Sequence, residues 1–334
     1  MQTIGDMAQS FLMRHHQTKL REQIGLLGVE LSTGIVNDKA AHLGGDLTVL
    51  ATLDRSLLAL EGYRVATAEA SYVSDVMQNS LGQVQERIEE LSPRLMNAEL
   101  IVSETLRAAM GRDAETALGA TLRNLNATAA GRTVFGGVAT DRTAITDSDT
   151  ILAALRVELA GETTLSGIEA KLDAWFDTPG GGFETTAYTG STTSVDNTRL
   201  SATDSAKLDI RADNTVFRDM LKALSLAALS SDSALGFPQD LTKEMLLSAG
   251  AQMVNAQTSL TDLRAGIGNL QARIEETETR NSSEKTATEL ARLKLVGTDQ
   301  FETAVKLQDA QVQLEALYSV TARAARMSFV EFMR

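Results

Sequence analysis

The stretch that decides the fold is AQTSLTDLRAGIGNLQARI, residues 256–274. Its apolar residues are separated by alternating steps of four and three, at Ala256, Leu260, Leu263, Ile267, Leu270 and Ile274. Steps of this size place one apolar stripe along a helix, which is the seam pattern of coiled coils and helical bundles. No proline occurs between residues 241 and 334, so the sequence predicts long, uninterrupted helices in this region.

Similar stripes occur in the first third of the chain. One stripe lies at Leu20, Ile24, Leu27 and Leu31, and a second lies at Leu50, Leu53, Leu57 and Leu60. The second stripe predicts a helix from near Asp46 to Pro93, where proline is expected to stop it. The pattern continues as a predicted helix from about Arg94 to Ala129, and a later one spans Val216 to Leu229.

The C-terminal stretch from Leu307 to Met333 is apolar all round, so it must be buried on more than one side. Its expected partner within the chain is the N-terminal helix, in an antiparallel pair that leaves apolar surface uncovered. We therefore expect residues 1–32 and 296–334 to be loosely ordered in the monomer and ordered on assembly. The predicted packing residues are Ile4, Met7, Phe11, Leu20, Ile24, Leu27, Leu31, Leu314, Leu317, Val320, Ala324, Met327 and Val330.

The middle of the chain has a different character. Residues 149–176 keep helical spacing, whereas 183–190 and 198–214 have the composition of β-strands. We interpret 141–210 as a small mixed α/β insertion. The predicted fold class is mainly α, with long antiparallel helices from the N- and C-terminal parts forming a coiled-coil rod.

The composition excludes several classes of function. Lysine and arginine number 31 and aspartate and glutamate 44, which gives a net charge of −13. Such a charge repels phosphate backbones and anionic headgroups, so we expect no nucleic acid and no membrane as partner. The absence of cysteine excludes disulfides and thiolate metal ligands. The N-terminal residues also lack the segments of a secretory signal peptide.

No residue pattern typical of a catalytic centre occurs in the sequence, so we predict no enzymatic activity, no cofactor and no metal. The glycine run at 180–182 is interpreted as a turn. His15 and His16 are adjacent, and neighbours on a helix point about 100° apart, so they are poorly placed to chelate one metal ion. Trp175 is most simply a core residue of the insertion, the alternative being an exposed contact patch.

The two ends of the chain resemble one protein family. LEALYSVTARAARMSFVEFMR, residues 314–334, resembles the closing helix of the flagellin superfamily, and within it the hook-associated proteins. LREQIGLLGVELSTGIVNDKAAHLGGD, residues 20–46, resembles the N-terminal helix of the same family. NLNATAAGRTVFGG (124–137) resembles its hairpin, and RADNTVFRDMLKALSLAA (211–228) resembles the segment that re-enters the helical domain. The family's S-x-x-D-D-P is replaced here by residues 37–41.

The resemblance implies three regions of the chain. Residues 1–32 and 296–334 would form a terminal assembly domain, residues 33–140 and 211–295 a helical rod, and residues 141–210 an outward-facing insertion. The implied function is that of a structural subunit of the bacterial flagellum at the hook–filament junction. The nearest alternative is a short flagellin that forms the filament itself. Rivals from other classes are a glycan-binding insertion and a cytoplasmic coiled-coil signalling protein.

The resemblance also implies partners and a location. The partners would be identical subunits in a ring, the adjacent hook-associated protein, flagellin, and a flagellar export chaperone before secretion. The chain would be extracellular, in the flagellum, after export by the flagellar type III pathway without a cleaved signal peptide. Its action would be mechanical, through interlocking terminal helices.

Overall fold

A computed structural model describes the backbone of residues 2–332 and the side chains of residue 8 and residues 11–323. Helices dominate the described chain, and the prediction of a mainly α fold is confirmed. The helices are α1 (Gln2–Thr33), α2 (Lys39–His42), α3 (Thr48–Met96), α4 (Glu104–Leu125), α5 (Ser148–Leu159), α6 (Leu165–Asp177), α7 (Thr215–Leu229), α8 (Gln239–Val296) and α9 (Gln300–Phe332).

The chain forms two compact units. Residues up to Glu61 and from Ser282 onward make the first, which we call the terminal unit, and Gly62–Asn281 make the second, the central unit. In the terminal unit α1 ends at Thr33 and is followed by Gly34, whose φ of +69° is the left-handed conformation that glycine adopts without strain. The Gly34 N–H donates to the Glu30 carbonyl at 2.8 Å, which closes the last turn of the helix.

In the central unit α3 and α8 run antiparallel. The Gln78 side chain donates to the Arg264 carbonyl at 2.7 Å. Nearer the end of α3, the Gln257 amide donates to Glu89 at 2.9 Å. Residue numbers therefore rise along α3 as they fall along α8. The 256–274 stripe faces inward as predicted, with Leu260, Ile267 and Ile274 all buried.

Helices α4 and α7 pack closely in the same unit. An added Cβ on Gly111 of α4 would lie 2.1 Å from the Ser231 hydroxyl, so only glycine fits there without movement. After α4 the chain forms an antiparallel hairpin of β1 (Thr128–Ala129) and β2 (Arg132–Thr133), at the position of the predicted hairpin. Asn126 caps α4 with its backbone N–H, which donates to the Leu122 carbonyl at 3.0 Å, and its side-chain oxygen accepts from the Ala144 and Ile145 N–H groups at 2.8 and 3.0 Å.

The structure corrects two helix boundaries. Helix α3 continues past Pro93 to Met96, because the fully buried Leu95 holds the last turn against the core. The next helix begins at Glu104 and not near Arg94. Ser103 caps it by accepting from the Leu106 N–H at 3.4 Å, and a 3-10 turn, Ala98–Leu100, separates α3 from α4.

The β-strands expected in the middle are largely absent from the described chain. Residues Phe183–Ala187 form one π-helical turn, and Tyr188 makes a single antiparallel bridge to Ile145. In the second segment, β3 (Thr198–Arg199) and β4 (Ser205–Ala206) pair in a short hairpin. The aromatic rings explain the difference, because Phe183 lies 5.7 Å from Phe176 and 6.3 Å from Tyr188, centroid to centroid. Trp175 is buried as predicted, and this cluster belongs to the same core as α4 and α7.

Candidate assembly interface

Helices α1 and α9 form an antiparallel pair in the terminal unit. The Arg21 guanidinium of α1 donates to the Tyr318 hydroxyl of α9 at 3.1 Å and lies 5.8 Å above the centre of its ring. At the other end of α1, the Thr298 N–H donates to the Gly34 carbonyl at 3.0 Å. The two contacts establish the antiparallel direction. The pairing that the sequence predicted is therefore present.

Twelve of the buried and half-buried side chains of the two helices recur at steps of four and three. On α1 they are Met13, Gln17, Leu20, Ile24, Leu27 and Leu31. On α9 they are Thr303, Leu307, Ala310, Leu314, Leu317 and Thr321. A strict repeat of this kind on two adjacent helices is a coiled-coil seam. We call these twelve positions the seam.

The structure divides the predicted packing residues into three groups. Six of them lie in the seam inside one chain: Leu20, Ile24, Leu27, Leu31, Leu314 and Leu317. Phe11 and Val320 are 67% and 51% exposed, so neither is covered by the chain itself. The side chains of Ile4, Met7, Ala324, Met327 and Val330 lie outside the described residues.

Apolar side chains that sequence reasoning left out of the interface lie on the outer faces of the pair. Six of the exposed ones are Leu12, Leu26 and Val29 on α1, and Val305, Val312 and Tyr318 on α9. We call these six, with Phe11 and Val320, the outer faces. The outer faces could have been recognised in the sequence from a second row of apolar residues, offset from the seam. Val305 and Val312, which are seven residues apart, belong to such a row. The pair therefore exposes apolar surface on both helices.

Backbone pairing holds the far end of the α1–α9 pair. The Val36 N–H donates to the Val296 carbonyl at 3.0 Å, and the Asn37 N–H donates to Glu30 at 2.7 Å. The chain after α1 thus pairs with the break between α8 and α9. We call this contact, residues 34–37 with 296–298, the clasp.

The charges near the clasp support the pair weakly. Lys306 donates to Glu302 at 2.7 Å, one turn away on α9. That hydrogen bond, with the charge of Glu302 and the more distant charge of Glu30, raises the pKa of the Lys306 ammonium. Because both Lys306 and Glu302 are largely exposed, solvent screens the ion pair. Apolar burial in the seam therefore dominates.

Neither a metal centre nor a membrane span is present in the described part of the chain. No group of three or more His, Cys, Asp or Glu residues is arranged to hold a metal ion there. No helix within the same residues is long and apolar enough to cross a bilayer. The chemistry of the α1–α9 pair is that of packing, since its distinguishing feature is apolar surface.

Comparisons with known proteins bear on this pair. Residues 251–333 match the family described as bacterial flagellin C-terminal helical region. The fold is similar to a putative flagellar hook-associated protein from Vibrio parahaemolyticus, with a TM-score of 0.53 and 12% identity, over 75% of this chain and 98% of that one. It is also similar to Bacillus cereus FlgL, with a TM-score of 0.51 and 15% identity, over 73% and 100%. No curated protein has a significantly similar sequence.

Proposed function

We propose that this chain, which belongs to the flagellin superfamily through its C-terminal helical region, is a structural subunit of the bacterial flagellum at the hook–filament junction. The matched region contains most of α8 and α9. It therefore includes the α9 half of the seam and of the outer faces. The proposed role is mechanical and involves no catalysis.

One observation carries the proposal: the α1–α9 pair keeps apolar side chains exposed after its seam is filled. Val312 is 57% exposed, and Val29 on the partner helix is 53% exposed. Apolar residues of this size gain roughly 1.5–3 kcal/mol each when fully buried, so copies that cover one another's outer faces become more stable together. Such contacts repeat around a closed ring.

The proposed ring has different partners on its two sides. One side would contact the adjacent hook-associated protein and the other would receive flagellin. Before export, a flagellar chaperone would cover the same outer faces and prevent premature assembly. The chain would reach its extracellular position through the flagellar type III pathway, without cleavage of a signal peptide.

The location and the copy number test the proposal. A small epitope tag placed in the exposed loop at 192–193 is detected by immunogold electron microscopy. A junction subunit gives label at one point between hook and filament. Label along the whole filament contradicts the junction and favours the alternative, a short flagellin.

Deletion of the gene gives an independent measurement. Without a junction subunit, flagellin has no surface on the hook on which to assemble, so we expect it in the medium as unassembled monomer. Expression of the full chain in the deletion strain should restore filaments. Normal filaments in the deletion strain would contradict the junction role.

A further inference from the structure

The central unit exposes a cluster of apolar side chains where α3 turns into α4. Met96, Leu100, Val102 and Leu106 are 49%, 79%, 93% and 56% exposed. We call residues 96–106 the α3–α4 tip. Single exposed apolar residues are common on protein surfaces, but four of them within eleven residues make this turn a candidate interaction site.

The backbone of the tip is held in place although its apolar side chains are exposed. The Asn97 amide donates to the Pro93 carbonyl at 2.8 Å, and the Leu100 N–H donates to the Asn97 carbonyl at 3.0 Å. The Arg107 guanidinium donates to the Ile101 carbonyl. A rigid surface loses little conformational entropy when a partner binds, so this tip is preorganised for contact.

Helix α8 begins beside the tip. Arg107 also donates to Gln239 at 2.6 Å, and Lys243 pairs with Glu99 at 3.6 Å. An added Cβ on Gly250 would lie 3.1 Å from the Met96 backbone nitrogen, which shows how closely α8 approaches the end of α3. Because α3 ends and α8 begins here, the tip occupies one end of the helical bundle of the central unit.

The charge around the tip is negative. Both nearby cations are engaged, Arg107 by a carbonyl and an amide oxygen and Lys243 by Glu99. Glu104, Asp240 and Glu244 are exposed and make no ion pair within the described residues. The surface therefore combines apolar side chains with uncompensated carboxylates, and it is complementary to a basic, apolar surface.

We propose that the α3–α4 tip docks on another protein of the flagellum, at an apolar depression bordered by lysine or arginine. This inference rests on the proposed function, because it assigns an end-on partner to the same subunit. A tip-to-tip contact with a second copy of the chain is disfavoured, because both tips carry the same exposed carboxylates.

Photocrosslinking in intact flagella tests the proposal. Val102 is replaced by p-benzoylphenylalanine in the full chain, and Val157, which is 76% exposed on α5, is replaced in the control strain. We expect a crosslink from position 102 to a different flagellar protein, on a segment that mass spectrometry shows to be rich in lysine or arginine. A crosslink to a second copy or to an acidic segment, or a yield at 102 no higher than at 157, would overturn the proposal.

A pair of double variants tests the chemistry of the contact. Leu100→Gln with Val102→Gln is expected to shed at least tenfold more flagellin into the medium, whereas Val157→Gln leaves filaments unchanged. Glu104→Gln with Glu244→Gln, which removes two carboxylates without an ion pair in the described residues, should make filament attachment less sensitive to added salt, because screening acts only on the charge contribution. Wild-type attachment in both double variants would contradict the inference.

Immunogold labelling separates the two proposals. If the chain is found at the junction but the tip variants behave as wild type, the tip has no docking role and the proposed function still holds. A chain that is absent from the junction in the wild-type strain contradicts the proposed function itself.

Discussion

Leu317 and Val320 lie three residues apart on α9, but only Leu317 belongs to the seam with α1, whereas Val320 is 51% exposed. A charge at each position therefore has a different effect. Leu317→Asp places a carboxylate in the seam and should cost the α1–α9 pair roughly 1–3 kcal/mol. Val320→Asp leaves the seam intact and disturbs only the outer face. We expect both variants to lose assembly.

Circular dichroism and hydrogen exchange separate the two variants in the monomer. Leu317→Asp should have less helical signal and faster exchange in α1 and α9 than the wild-type monomer, in which we expect the pair to be loosely ordered already, while the central unit stays folded. Val320→Asp should match the wild-type monomer. Normal filaments in a strain that carries only Val320→Asp would show that the outer face of α9 is not an assembly surface.

Replacing either of two glycines in the terminal unit with alanine should change the stability of that unit, in opposite directions for the two positions. An added Cβ on Gly297 would lie 2.4 Å from the Leu293 carbonyl oxygen, so the clasp must move, at a cost of about 1–3 kcal/mol. The amide protons of Val36 and Thr298 should then exchange roughly tenfold faster or more, since 1.4 kcal/mol corresponds to a factor of about ten.

Gly28 is the matched control for Gly297. It lies within α1 with nothing within 4 Å of an added Cβ, so Gly28→Ala should stabilise the helix by about 0.5–1 kcal/mol. Hydrogen exchange along α1 measures the change. Equal destabilisation by both substitutions would mean that the crowding at Gly297 is not what distinguishes the clasp.

The sequence predicts the long helices well because their apolar stripes extend over many turns. The stripe of 256–274 lies within α8, and the α1–α9 pairing follows from the complementary apolar content of the two ends. Helix α9 is apolar all round, however, so its sequence does not indicate which row faces α1. The choice of Leu314 and Leu317 for the seam depends on the register with the partner helix, a tertiary property.

The middle of the chain shows a different limit of sequence reasoning. The composition of 183–190 is typical of a strand, but Phe183 contributes to an aromatic cluster with Phe176 and Tyr188. Burial of that ring outweighs the local preference and produces a helical turn. The sequence did not predict the α3–α4 tip for a related reason. The helix predicted from Arg94 covered the residues that form the exposed turn in the structure.

Asn126 links α4 to the chain that follows the hairpin. Its amide donates to the Ile145 carbonyl at 2.8 Å, and its oxygen accepts from the Ala144 and Ile145 N–H groups. Asn126→Ala leaves these partly buried backbone groups unpaired, so it should lower the free energy of unfolding of the central unit by about 2–3 kcal/mol. Denaturant unfolding followed by Trp175, the only tryptophan, measures the loss.

Asn255→Ala is the control for Asn126→Ala. Asn255 is exposed on α8, where alanine is the better helix former, so stability should stay within about 0.5 kcal/mol of wild type. If Asn126→Ala lowers the free energy of unfolding no more than Asn255→Ala does, the hydrogen bonds of Asn126 make no net contribution to stability.

Acid should destabilise the central unit through carboxylates that are hydrogen-bonded in the folded state. The Asp204 carboxylate accepts from Ser201 at 3.0 Å and pairs with Arg280, and these contacts lower its pKa below 3.8. Lys207 and Ser194 lower the pKa of Asp209 in the same way. The unfolded chain binds these protons more readily, so the stabilisation is complete above about pH 4 and is lost as pH falls through the lower, folded values.

Urea unfolding of the wild type and of Asp204→Asn, followed by Trp175 fluorescence between pH 7 and pH 3, tests this origin of the acid sensitivity. We expect a smaller loss of stability between these pH values for Asp204→Asn, because it carries no group to protonate at that position. Asp196→Asn is the control, since Asp196 is exposed and makes no ion pair within the described residues. A pH profile of Asp204→Asn that follows the wild type would assign the acid sensitivity to other carboxylates.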